Sequence, residues 1–302
     1  MTLLDIDNVF DTDLKCREVL CRLRWPNDPE CPRCRSKVVE LATEKQLFYC
    51  KECDYQFSVT AGTIFNDSHL PLKTWFTATL LLVEARKGFS ANQMKRTIGV
   101  SYKTAWYLCH RIRRAMKEAG ERPMLYGTVE MDETWVGGRK RGIGVAEARR
   151  QKEIVIGIRQ RGGDLRFFHA NGVTTGTLRD YIKDNVSQDV DVIFTDDFNA
   201  YKNAVGTIRH ETVNHSAKEY VRGDVHTNTI ESAFSLLKRG IIGTWHRVSA
   251  KHLAAYLDEM TFRFNRRKNH DLFLDTLRHM VTADPLTFER LTAGQTELQV
   301  RA

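Results

Sequence analysis

Two pairs of cysteines constrain this chain more tightly than any other feature in it. Cys31-Pro-Arg-Cys34 and Cys50-Lys-Glu-Cys53 are C-x-x-C knuckles with fifteen residues between them. Each knuckle puts two thiolates on one tight turn, and two such turns supply the four soft ligands that tetrahedral zinc takes. Strand-like residues 37–41 and 47–49 lie between them, so the segment reads as a zinc ribbon. A piece this short has little core of its own, and metal binding would contribute most of its folding energy. The other three of the seven cysteines, Cys16, Cys21 and Cys109, lack such pairing and read as small buried hydrophobes. A reduced, intracellular setting is expected, where a disulfide framework does not persist.

The 302 residues allow two or three domains. Lys and Arg outnumber Asp and Glu by 46 to 38, a net charge of +8, which points to a polyanionic partner. No apolar run approaches the ~20 residues of a membrane helix. The start carries Asp5, Asp7, Asp11 and Asp13, the opposite of a signal peptide's basic start.

After the ribbon the period is helical. Leu72, Trp75, Phe76, Thr79, Leu80 and Val83 mark one amphipathic helix, ended by Gly88. Ser90 reads as the N-cap of a short helix with Met94 and Ile98. Gly99-Val100-Ser101 makes a turn, and Ala105, Leu108 and Ile112 form the apolar face of a third helix. Helix, glycine turn, helix is the helix-turn-helix pattern. Residues 95–117 hold seven basic and no acidic side chains. In such a motif Ser101, Tyr102, Lys103 and Thr104 would enter the major groove, and Arg111, Arg113, Arg114 and Lys117 would face phosphates. A helical bundle with a solvated basic face is the plainer alternative.

From residue 125 the period becomes that of strands. Residues 125–132, 153–159 and 165–169 read as three strands, 178–186 as a helix, 190–195 as a strand ending in Asp196-Asp197, 208–213 as a strand and 228–239 as a helix. That order is the order of a ribonuclease-H-like α/β fold. Asp132 ends the first strand, Asp196 the fourth, and Glu231 lies in the last helix. Acids converging from separate segments can hold two Mg²⁺ ions for phosphodiester chemistry. Glu231, Ser235 and Lys238 share one helix face, so Lys238 can reach a phosphate beside the scissile bond, while Ile230, Phe234 and Leu237 face the core.

These residues, taken in order, resemble bacterial insertion-sequence transposases of the D-D-E class, in the family numbered fifteen ninety-five with its ISXO-two-like transposase domain. The resemblance runs through Arg24-Trp25-Pro26, the knuckles, Thr63-Ile64-Phe65 and Leu70-Pro71-Leu72-Lys73-Thr74-Trp75. It continues through Met131-Asp132-Glu133-Thr134-Trp135-Val136-Gly137-Gly138 and Thr195-Asp196. It ends with Asn228-Thr229-Ile230-Glu231, Lys238-Arg239-Gly240 and Arg263-Phe264-Asn265-Arg266-Arg267. It implies that Asp132, Asp196 and Glu231 bind the catalytic metal and that Lys238 is the lysine following them. Some relatives carry asparagine in place of the third acid, so Asn228 is the alternative there. Glu130 and Glu133 flank Asp132, and Glu130 shares its strand face.

The expected architecture is multidomain α+β. It comprises an N-terminal segment with the zinc ribbon (1–66), a helix-turn-helix region (67–120), a ribonuclease-H-like DDE catalytic domain (121–283) and a tail (284–302). Cys31, Cys34, Cys50 and Cys53 would hold structural zinc. Asp132, Asp196 and Glu231 would hold catalytic Mg²⁺, with Mn²⁺ as a substitute. The partners are double-stranded DNA, both terminal inverted repeats and target, and a second protomer on that DNA, in the cytoplasm at the nucleoid and away from membrane. The basic stretch 137–152 beside Asp132 and the basic residues Arg263, Arg266, Arg267 and Lys268 are expected DNA contacts. A DNA-binding regulator without catalysis and a structure-specific nuclease without strand transfer are the rival readings.

Overall fold

The computed structural model describes residues 1–43, 47–117, 122–137, 147 and 152–293, and most of the basic stretch 137–152 lies outside them. The chain forms two compact units, Met1–Lys117 with Lys268–Ala302, and Glu118–Arg267. No helix among the described residues is long and apolar enough to cross a membrane.

The first unit starts with α1 (Leu3–Val9) and α2 (Asp13–Arg24), followed by β1 (Val39–Thr43), β2 (Leu47–Cys50) and β3 (Tyr55–Ser58) in an antiparallel sheet of order β1-β2-β3. Only a small core backs this sheet. Phe48 and Phe57 stack at 5.7 Å between centroids, and Trp25 meets Phe48 edge-on at 5.3 Å. Helices α3 (Leu72–Glu84), α4 (Ala91–Ile98) and α5 (Tyr102–Met116) follow. Their boundaries are set by local chemistry. Ser90 makes a capping box with Gln93, Gly99 ends α4 in the left-handed region at φ 70°, and Ser101 caps α5. Helix α3 starts after Pro71, which has no side chain to cap it, and Asp13 Oδ1 accepts the Leu72 N–H at 3.0 Å instead.

The second unit carries β4 (Thr128–Val136), β5 (Glu153–Gln160), β6 (Leu165–Ala170), α6 (Thr175–Asn185), β7 (Val192–Asp196), α7 (Asn199–Lys202), β8 (His210–Val213), α8 (Asn228–Gly240) and α9 (Ala250–Asn265). Its five-stranded sheet has the order β6-β5-β4-β7-β8, with β4–β5 and β5–β6 antiparallel and β4–β7 and β7–β8 parallel. Apolar side chains cover both faces. Val129, Met131 and Ile193 pack with Leu178 and Ile182 of α6, and Val136, Val155 and Phe167 pack with Ile230, Phe234 and Leu237 of α8. The middle strand is thus buried on both sides, so residues 129–131 are all buried and the alternation read from residue 125 onward is lost there.

Two further helices, α10 (Leu272–Thr282) and α11 (Phe288–Thr292), belong to the first unit. This differs from the division expected from sequence, which placed residues up to 283 with the carboxylates and left 284–302 as a tail. Phe273 packs on Phe10 and Phe76, Tyr107 donates to the Leu286 carbonyl at 2.5 Å, and Phe288 lies edge-on to Tyr107. Apolar residues at helical spacing show that a helix has a buried face, and they do not specify which helix that face meets.

Candidate functional sites

The four knuckle sulfurs lie within 4.8 Å of one another, with Cys31–Cys53 at 3.7 Å and Cys34–Cys50 at 3.5 Å. A disulfide would need about 2.05 Å. Four thiolates 2.3 Å from one zinc stand about 3.8 Å apart along a tetrahedral edge, so the donor set fits structural zinc. Each knuckle closes on a left-handed residue, Arg35 at φ 61° and Asp54 at φ 53°. Burial works against ionising Cys31, and the N–H groups of Cys34 and Arg33 aimed at its sulfur overcome this and bring its pKa to about 7.

The second site is built by strand parity. Val129 and Met131 face α6, so Glu130 and Asp132 face α8. Glu130 lies beside Phe194 in the last pair of the parallel β4–β7 register, and strand parity puts Asp132 and Asp196, each two residues further along its strand, on that same face. Glu231 lies in the first turn of α8. Gly157, opposite Asp132 on β5, lets the helix approach, since a Cβ there would stand 2.7 Å from Ile230 Cδ1 and 2.8 Å from Phe234 Cζ.

The three acids share one electrostatic environment. Burial pushes the Asp132 carboxyl well above the usual carboxylate range, and Glu133, Asp196 and Glu231 push it the same way. Asp196 is also raised, mainly by burial, while the Phe198 N–H and nearby His215 oppose the shift. Asp132 Oδ1 accepts the Glu133 N–H at 2.8 Å, Asp196 Oδ1 the Phe198 N–H at 3.1 Å, and Glu231 Oε1 the Thr227 hydroxyl at 2.8 Å. Carboxylate oxygens are the hard donors that Mg²⁺ takes, and Asp196 and Glu231 lie near enough to Asp132 to raise its carboxyl, so the donor set fits a divalent cation.

The flanking acids have other work. Glu130 is fully buried and its oxygens are occupied. Oε1 accepts Arg161 Nε at 2.7 Å, and Oε2 accepts the N–H groups of Thr229 and Ile230 at 2.9 Å each. It clamps the start of α8 to the sheet. Glu133 Oε2 accepts the Tyr201 hydroxyl at 2.7 Å. Lys238 is exposed on the same helix face as Glu231, with no ion pair among the described residues, and Asn228 is the exposed first residue of α8.

In the helical unit Ser101, Tyr102 and Lys103 are exposed at the start of α5, with Thr104 half-buried behind them. Ser101 Oγ accepts the Thr104 N–H, and the Lys103 ammonium lies over the Phe288 ring at 4.4 Å. Arg111 and Arg113 correct the expectation of phosphate contacts, because both are buried. Arg111 donates to the Ile64 carbonyl at 2.8 Å and the Asn66 carbonyl at 2.5 Å, and its guanidinium lies over Trp75. Arg114 is half-buried and Lys117 exposed. Arg263 likewise departs from the expected DNA contact, being buried and paired with Glu259 at 3.0 Å. Trp245 packs into the core against Tyr256.

Sequence reasoning missed His215, Tyr201 and the Arg161–His226 pair that surrounds Glu130. None follows an apolar period or a motif.

With cysteines and carboxylates placed, comparison with known proteins defines the class, a transposase. The transposase zinc-ribbon domain matches residues 11–56 and the ISXO2-like transposase domain residues 124–265, and the chain belongs to this IS1595 family. It is 32% identical over 275 residues to an uncharacterized protein in transposable element ISH50 of Halobacterium salinarum, covering 84% of this chain and 91% of that one. A chain in a cryoEM structure of the simian T-cell lymphotropic virus intasome, with a PP2A regulatory subunit, covers 72% of this chain and 75% of its own at 12% identity and a TM-score of 0.26. A score that low carries no argument.

Proposed function

We propose that this chain is a DNA transposase that binds the terminal inverted repeats of an insertion sequence, cuts a phosphodiester at the element's end and joins the freed 3′-hydroxyl to target DNA. The observation that carries the reading is the convergence of Asp132, Asp196 and Glu231 on one sheet face. The order β6-β5-β4-β7-β8, with the acids on adjacent middle strands and on α8, supports a ribonuclease-H-like catalytic domain. The caps and turn of α4 and α5 support a helix-turn-helix, with Ser101, Tyr102, Lys103 and Thr104 toward bases and Arg114 and Lys117 toward phosphates.

Asp132, Asp196 and Glu231 would hold Mg²⁺, with Mn²⁺ as a substitute. When bound, the metal supplies charge to offset that of the phosphate and its attacking and leaving oxygens. The chain's own residues do the rest. Glu130 sets the position of Glu231 by holding the start of α8. Tyr201 fixes the Glu133 carboxylate through its hydroxyl. Lys238 places a cation two helical turns along, where a phosphate flanking the scissile bond would lie. Cleavage breaks the bond between phosphorus and the 3′-oxygen, with water as nucleophile. Joining breaks the corresponding bond in the target, with the 3′-hydroxyl as nucleophile and no covalent protein intermediate.

Two element ends need two protomers, so a dimer on DNA in the cytoplasm, at the nucleoid, is expected. The test is incubation of the zinc-loaded protein with Mg²⁺ and a labelled duplex carrying the element's end. Nicking at the end, followed by joining to a second DNA, with both steps lost in Asp132→Asn and Glu231→Ala and retained in Asn228→Ala, supports the proposal. Binding without cleavage favours a regulator, and cleavage without joined products favours a nuclease.

A further inference from the structure

His215 stands at the acidic site without a role in the reading above. It opens the short 3-10 turn His215–Ala217, two residues beyond Val213, and Val213 is the register partner of Asp196 on β8. The chain therefore leaves the sheet beside Asp196 and carries the imidazole toward α8. His215 Nε2 lies 3.7 Å from Glu231 Oε1, is buried, and has no hydrogen-bond partner among the described residues. The turn is anchored. Asn214 Oδ1 accepts the Ala217 N–H at 2.9 Å, and Asn214 Nδ2 donates to Asp197 Oδ2 at 3.2 Å, tying the segment to the residue after Asp196. The ring rests against Tyr220, with centroids 5.2 Å apart.

A separation of 3.7 Å is too long for a hydrogen bond between nitrogen and oxygen. It falls between the adjacent and the opposite separations of two donors that share a cation. Donors about 2.1 Å from one octahedral ion stand ~3.0 Å apart when adjacent and ~4.2 Å apart when opposite. Nε2 is enclosed, stands at that range from a carboxylate oxygen and has no hydrogen-bond partner among the described residues, which places it as a donor beside Glu231. We infer that His215 is a ligand of the divalent-cation site, giving its neutral Nε2 to the ion that Glu231 also binds. The inference rests on the reading of Asp132, Asp196 and Glu231 as that site. One nitrogen among carboxylate oxygens shifts preference from Mg²⁺ toward cations that accept imidazole more readily, Mn²⁺ first among those compatible with an oxygen-rich set.

The test uses the full-length, zinc-loaded protein and Mn²⁺ alone, with binding followed by titration and the bound ion examined by pulsed electron paramagnetic resonance. Wild type is expected to show nitrogen coupling to Mn²⁺ that changes isotope signature when the protein is labelled with ¹⁵N-histidine, a test that needs no mutant to fold. In His215→Gln the coupling disappears and Mn²⁺ affinity falls at least about ten-fold, the lower end of the loss seen for even an outer-shell partner. Mg²⁺ affinity falls less. Mn²⁺ that binds in an Asp132-dependent way with no histidine coupling overturns the inference and leaves the acidic site standing. Coupling that persists in His215→Gln overturns it as well. Failure of wild type to bind Mn²⁺ at all removes both the inference and the cation-site reading beneath it.

Discussion

Glu130→Ala is the perturbation that most directly probes how the acidic site is assembled. The side chain is fully buried, and truncation removes three hydrogen bonds at once, from Arg161 Nε and from the N–H groups of Thr229 and Ile230. Removing one partner of a buried pair costs about 3–5 kcal/mol, because the other charge is left uncompensated. Arg161 is 23% exposed and keeps the carbonyls of Asp224 and His226 as acceptors, which argues for the lower end, ~3 kcal/mol. For the unit Glu118–Arg267 that corresponds to a Tm lower by roughly 6–12 °C, at 2–4 °C per kcal/mol for a domain of this size. Local opening shows it most clearly. Hydrogen exchange of the Thr229 and Ile230 amides should accelerate by about two orders of magnitude, since 1.4 kcal/mol is a factor of ten. Arg161→Ala should cost less in the Glu130→Ala background than in wild type, because the charge pair is already gone and only the hydrogen bonds to the Asp224 and His226 carbonyls remain to be lost. A loss below ~1 kcal/mol, with both amides as protected as in wild type, would refute the view that Glu130 holds α8 on the sheet.

Other perturbations follow from the same geometry. Gly157→Ala puts a methyl group into the space held by Ile230 and Phe234, and urea unfolding should show about 1–3 kcal/mol of destabilisation from overpacking. Removing zinc, by chelation or by Cys34→Ser, should abolish exchange protection in β1–β3 and leave the amides of β4–β7 unchanged. Burial and neighbouring carboxylates make the folded state hold the Asp132 proton more tightly than the unfolded chain does, so stability falls as pH rises from the ordinary carboxylate range through the raised folded value. Asp132→Asn should therefore melt higher than wild type at about pH 7 without divalent cations, and the difference should close in acid as the wild-type carboxyl is protonated in both states. Arg111→Ala should cost about 2 kcal/mol or more by stranding the Ile64 and Asn66 carbonyls. Lys117→Ala should leave stability unchanged and reduce the salt slope of DNA binding by ~0.9.

Much of this protein is written in short-range pattern. The knuckle spacing, the caps at Ser90 and Ser101, the glycine at 99 and the apolar stripe of α8 are local, because backbone hydrogen bonding and helix periodicity act over a few residues. Asp196 at the end of β7 and Glu231 in the first turn of α8 were legible for the same reason, whereas Asp132, expected at a strand end, lies in the middle of β4, because β4 runs on to Val136 in its pairing with β5. Glu130 and Asp132, two residues apart on one face, are equivalent to any local rule. They are told apart by which one meets the amides of residues 229 and 230, about a hundred positions away. Arg111 and Lys117 carry equal charge in sequence, yet carbonyls of the segment after the ribbon claim the first and solvent the second. The affiliation of residues 272–292 with the amino-terminal helices, and the approach of His215 to Glu231, are also decided by packing across long sequence separations. Sequence determined the elements, the clustering of the four knuckle cysteines and the face on which the acids lie. Tertiary structure decided which charged groups are bound inside and which remain to meet a cation or DNA, because a side chain's partner is set by the distance the fold imposes and leaves no periodic trace in the chain.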